Sequence, residues 1–84
     1  MHERKVEVAF LERDEYIEHK RLRDGIQYIF STGTGRKLSV VQHWASYGSK
    51  EGLYEMAVIT DETVEDVQGY LTPERVIEIL EEER

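Results

Sequence analysis

The most regular pattern in the chain is an alternation of apolar and polar residues in its middle third. In Ile26-Gln27-Tyr28-Ile29-Phe30 the side chains of Ile26, Tyr28 and Phe30 fall on one face, and β-branched and aromatic residues suit a pleated, half-buried surface. Leu38 to Tyr47 reads as a longer strand, with Leu38, Val40 and Trp44 on one face and Val41, Ala45 and Tyr47 on the other, which predicts a central place in a sheet. Leu53 to Thr60 supplies a third strand whose inward residues are Tyr54, Met56 and Val58. Two glycine-containing reversals, Ser31 to Lys37 and Gly48 to Gly52, separate these strands. Both are too short for a crossover, so the strands form an antiparallel meander.

Helical signals flank the meander. Thr72 is placed to cap a helix, Pro73 suits its first position and Glu74 complements the positive end of its dipole. Leu71 and Val76 can staple that start, and Val76, Ile77 and Leu80 form the stripe that packs on the sheet. Between Glu12 and Arg23 the acids come first and the bases last, the order a helix dipole favours, and Asp24-Gly25 supplies a stop. This predicts a helix over 12–23. Two patterns fit residues 5–11: Val6, Val8 and Phe10 alternate as in a strand, while Val6, Phe10 and Ile17 fit one side of a helix. Residues 61–68 are acidic with weak periodicity and read as a loop. The expected fold is α+β: a three-stranded meander, or a four-stranded one, with an N-terminal and a C-terminal helix packed on one face.

At 84 residues, 39% apolar and 35% charged, the chain has material for one core, so residues 1–84 form a single domain. No apolar run approaches the ~18 residues of a membrane span and the start lacks a secretion signal, so the expected location is the cytoplasm. The absence of cysteine excludes disulfides, thiolate nucleophiles and cysteine-ligated zinc.

Charge adds an asymmetry. Residues 1–50 carry nine Lys/Arg against seven Asp/Glu, and residues 51–84 carry two against eleven, within a net charge of −7. Such polarity attracts a cationic partner and repels phosphate backbones. Glu81-Glu82-Glu83 also places negative charge at the negative end of the last helix, at a cost of about 0.3–1 kcal/mol for each carboxylate at low salt. A local rule broken without compensation marks either a frayed end or a functional surface. Asp61, Glu62, Glu65, Asp66, Glu81 and Glu82 can together form one acidic patch.

Catalytic chemistry finds little to rest on. His2, His19 and His43 have no metal-ligand spacing, and none of Ser31, Ser39, Ser46 and Ser49 lies in a nucleophile motif. Gly33-Thr34-Gly35 before Arg36-Lys37 lacks the following helix that a phosphate loop needs, so a hairpin turn explains it better. Lys20, Arg21, Arg23, Arg36 and Lys37, with Tyr28 and Trp44, are a basic and aromatic set suited to single-stranded nucleic acid, but the net charge opposes it. The expectation is therefore no enzyme, with no catalytic, cofactor-binding or metal-binding residue. Trp44, beside polar Gln42 and Ser46, is an interface anchor if exposed.

Ser39-Val40-Val41, Ser46-Tyr47-Gly48, Gly52-Leu53-Tyr54-Glu55-Met56-Ala57-Val58 and Gly69-Tyr70-Leu71-Thr72 carry a resemblance. With the Gln27-Tyr28-Ile29-Phe30 strand, they make residues 26–80 similar to a group of small phage and prophage proteins of unknown function. Thr32-Gly33-Thr34-Gly35-Arg36 departs from that group's Asn-Gly turn. The resemblance implies a phage-encoded accessory protein in a bacterial cytoplasm and transfers no catalytic residue. The functional expectation is a protein-binding module that engages a basic surface on a host or phage protein through Asp61, Glu62, Glu65, Asp66, Glu81 and Glu82, with Trp44 as anchor. Its sharper form is an inhibitor mimicking nucleic-acid charge. A structural protein that forms homo-oligomers is the alternative.

Overall fold

A computed structural model of the chain describes residues 5–33, 35–43, 49–61 and 63–83. Its framework is an antiparallel sheet of five strands in sequential order, β1 (Tyr16–Arg21), β2 (Ile26–Ser31), β3 (Lys37–Gln42), β4 (Tyr54–Thr60) and β5 (Thr63–Leu71). A short helix α1 (Val8–Leu11) precedes the sheet, and α2 (Pro73–Glu82) follows it. The α+β class and the meander stand as expected, but the sheet has five strands where three or four were expected.

Both additional strands are edges whose periodicity is broken by bulges. The helix predicted over 12–23 is instead a turn followed by β1, with Tyr16 opposite Phe30 and Glu18 opposite Ile29, so Ile17 is the inserted residue. Insertion of one residue leaves the half-buried Tyr16 and His19 three apart, a helix-like spacing inside a strand. His19, at the cationic end of that expected helix, accordingly lies within β1, its Nδ1 2.7 Å from the Tyr16 hydroxyl. Residues 61–68, predicted as loop, are mostly β5. Glu65 pairs with Val58, Gln68 with Met56 and Leu71 with Tyr54, so three residues advance on β5 for every two on β4. Two further bulges make the difference, and Asp66 (φ 51°) and Tyr70 (φ 59°) take left-handed backbone there.

Gly25 has a different role from a helix stop. A Cβ at this position would run into the Gln42 carbonyl oxygen and into His43, so glycine lets the β1–β2 turn close against the end of β3. β3 ends at Gln42, short of the expected Tyr47; Trp44 to Gly48 lie outside the described residues.

One face of the sheet carries the core. Ile26, Tyr28, Phe30, Leu38, Val40, Met56 and Val58 point to this face and meet Phe10 of α1 and Val76, Ile79 and Leu80 of α2. Within residues 5–11, Val8–Leu11 form a helix: Phe10 is fully buried, with edge-on rings of Tyr28, Tyr54 and Phe30 at 5.0, 5.1 and 5.8 Å. Such pairs contribute about 0.5–1.5 kcal/mol each beyond area burial. The Glu7 N–H donates to the Tyr28 hydroxyl oxygen at 2.8 Å, fixing the start of α1 over the sheet. α2 is capped as predicted, with the Arg75 N–H donating to Thr72 Oγ1 at 3.1 Å.

The meander sets two ends. Tyr16, Ser31, Lys37, Thr60 and Thr63 lie at one, while Arg21, Ile26, Gln42, Tyr54 and Leu71 lie at the other. α2 leaves β5 at the second end and runs back to the first, where Arg36 meets Glu83. Its ten residues span about 15 Å at 1.5 Å per residue, most of the ~20 Å length of a six-residue strand here.

Candidate functional site

The acidic segments of the second half converge on the first end. Asp61 sits in the β4–β5 turn, Glu65 and Asp66 follow on β5, and Glu81 lies in the last turn of α2; all four are exposed. Glu82 is also exposed, one residue further along α2. Glu62 and Trp44, the other two expected site residues, lie outside the described residues.

Two arginines from the first half join these segments. Arg36, in the β2–β3 turn, reaches Glu83 at 3.2 Å and Asp66 at 3.9 Å. Arg13, ahead of β1, pairs with Glu15 at 3.2 Å and Glu81 at 3.5 Å. Glu82 turns to Arg75 on its own helix, at 3.3 Å. The broken dipole rule at Glu81-Glu82-Glu83 is thus offset in the tertiary structure, because Arg13 and Arg36 bring positive charge to the C-terminus of α2. These two arginines and Glu83 were missed as site residues, and their sequence separation hides them: Arg36 and Glu83 are 47 positions apart.

The pairing leaves an excess of negative charge. Among the described residues around this end, Glu12, Asp14, Glu15, Asp61, Glu65, Asp66, Glu81 and Glu83 stand against Arg13, Arg36 and Lys37. At the opposite end, among the described residues, Arg21, Arg23 and Lys50 stand with Asp24, Glu51 and Glu74, so charge is nearly balanced there. Exposed ion pairs contribute only ~0–1 kcal/mol each, so the arginines organise this surface more than they stabilise the fold.

Concavities formed by described residues lie on both faces of the sheet. One, of about 380 Å³, lies between β5 and α2, with Leu38, Met56, Val58 and Ile79 lining it and Arg36, Asp66 and Glu83 among its polar residues. Another, of about 250 Å³, lies on the face away from the helices, among Val41, Ala57, Ile59, Val64 and polar Gln27 and Ser39. The Gln27 amide donates to Ser39 Oγ there at 2.8 Å.

No described helix is long and apolar enough to cross a membrane. Among the described residues no group of three or more His, Asp or Glu is disposed to hold a metal ion. No protein-family model, curated protein or solved structure matches the chain.

Proposed function

We propose that this chain is a non-enzymatic protein-binding module whose acidic end engages a basic surface on another protein. The observation that carries this reading is the convergence of the β4–β5 turn, β5 and the end of α2 around Arg13 and Arg36 with carboxylates in excess. Same-sign charge gathered at one end gives a coherent field, which steers an oppositely charged partner and raises the association rate. The resemblance to small phage proteins supports a phage-encoded accessory role in a bacterial cytoplasm, with a host or phage protein as partner. An inhibitor that mimics nucleic-acid charge is the sharper form.

The test is capture on the immobilised chain from infected cells, with elution by rising salt and mass spectrometry of the eluate. A basic partner that elutes with salt and is not retained by a variant carrying Asp61→Asn, Glu65→Gln, Asp66→Asn and Glu81→Gln supports the reading. Equal retention by that variant at low and moderate salt contradicts it.

A second reading rests on the uncovered sheet face. Register places Ile29, Val41, Ala57, Ile59 and Val64 there, among Glu18, Lys20, Lys37 and Glu55. That face is neutral within a chain of net charge −7, so two copies can approach across it with least repulsion. Light scattering over a range of concentrations decides: a dimer abolished by Ile59→Lys supports self-association, and a monomer throughout contradicts it.

A further inference from the structure

The crevice between β5 and α2 lies where β5 sets polar side chains beside the buried core residues Met56 and Val58. The two bulges of β5 bring Glu65 and Gln68 opposite Val58 and Met56, where a regular inward-facing strand would supply apolar side chains. Only Leu71, opposite Tyr54, is apolar and buried. The opening measures about 380 Å³, within the ~300–1,000 Å³ typical of ligand pockets. Leu38, Met56, Val58 and Ile79, each less than a tenth exposed, form its apolar floor, and half-exposed Val67 stands at its edge. Its charged residues among those described are Arg36, Asp66 and Glu83, and the Arg36 guanidinium is shared between the two carboxylates.

We infer that this crevice is the anchor point for the basic partner, and that it receives an apolar side chain flanked in its own segment by lysine or arginine. The inference rests on the proposed function and specifies the partner chemistry it needs. An anion meets a guanidinium already committed to two carboxylates, whereas a cation finds a rim whose described residues are net negative. Asp66 is the carboxylate best placed to turn towards an incoming cation, since its 3.9 Å contact with Arg36 is looser than the 3.2 Å contact from Glu83. The crevice and the acidic end share Arg36, Asp66 and Glu83, so one segment can occupy both.

The experiment is a methyl and amide NMR titration of the full chain with acetyl-Arg-Leu-Lys-Leu-Arg-amide and, separately, with its acidic twin acetyl-Glu-Leu-Glu-Leu-Glu-amide. The expected result is saturable shifts of the Met56 and Ile79 methyls with the basic peptide alone. Val67→Trp should remove them, because Val67 borders the crevice and is half exposed, so a large ring can fill the opening without disturbing the core. Glu83→Gln should weaken the apparent affinity several-fold. If the basic peptide moves only amides of the acidic end, the anchor inference fails while the proposed function stands. If neither methyls nor amides respond, both fail, and an equal methyl response to the acidic twin overturns selection by charge.

Discussion

Gly25 is the residue at which backbone approach rather than chain reversal dictates the amino acid. Since the Gln42 carbonyl and His43 occupy the space of a side chain, Gly25→Ala must displace the β1–β2 turn or the end of β3. The expected cost is about 1–3 kcal/mol, the usual range for overpacking, read as a lower urea midpoint with unchanged slope. An unchanged midpoint would show that the turn yields freely. Tyr28 makes a second prediction. Burial holds its phenol above the ordinary value near 10, and the Glu7 backbone hydrogen bond opposes that rise only in part. Because the folded state binds this proton more tightly than the unfolded chain, the associated stability is complete below pH ~10 and is lost as pH rises through the folded-state value. Tyr28→Phe should therefore lower stability by about 1–3 kcal/mol at pH 8, through the unpaired Glu7 N–H, and should flatten the alkaline loss. Unfolding midpoints at pH 8 and pH 11 check both, and parallel losses in the two proteins would contradict the assignment.

At the scale of elements, α2 depends on its start. Thr72 supplies the acceptor for Arg75 N–H, so Thr72→Ala should cost about 0.5–2 kcal/mol, while Thr72→Asn should restore most of it. Thermal melts of the two variants test the cap directly, and equal melting temperatures would rule it out as a stabilising feature. This helix, β2 and β4 were legible in the sequence because each keeps a single period: Val76 and Leu80 are one helical turn apart, and Tyr28 and Phe30 are two residues apart. β1 and β5 were not legible. A bulge at Ile17 in β1, and left-handed residues at Asp66 and Tyr70 in β5, shift the inward positions to every third residue. That spacing satisfies neither template. The acid-to-base order of residues 12–23 then imitated a helix, although it arises from a turn holding Glu15 beside Arg13 and an edge strand bearing Lys20 and Arg21. Charges and bulges on edge strands also discourage unwanted pairing with other sheets, which accounts for both features at once.

At the scale of the whole molecule, the meander turns a charge difference between halves of the sequence into a difference between ends of the fold. The acidic segments and their grouping into one patch were expected from the sequence; the arginines that join them were not, because that depends on α2 running back along the sheet and on Arg36 reaching both Asp66 and Glu83. In the proposed function this end carries a coherent negative field despite its arginines. The most direct measurement compares amide-proton relaxation caused by a cationic and by an anionic nitroxide cosolute at low ionic strength, residue by residue. Expected are several-fold stronger relaxation by the cationic probe at Asp61, Glu65, Glu81 and Glu83, near parity at Arg21 and Arg23, and a smaller contrast at about 150 mM salt, where the screening length is ~8 Å. Equal relaxation by the two probes at both ends of the sheet would contradict it.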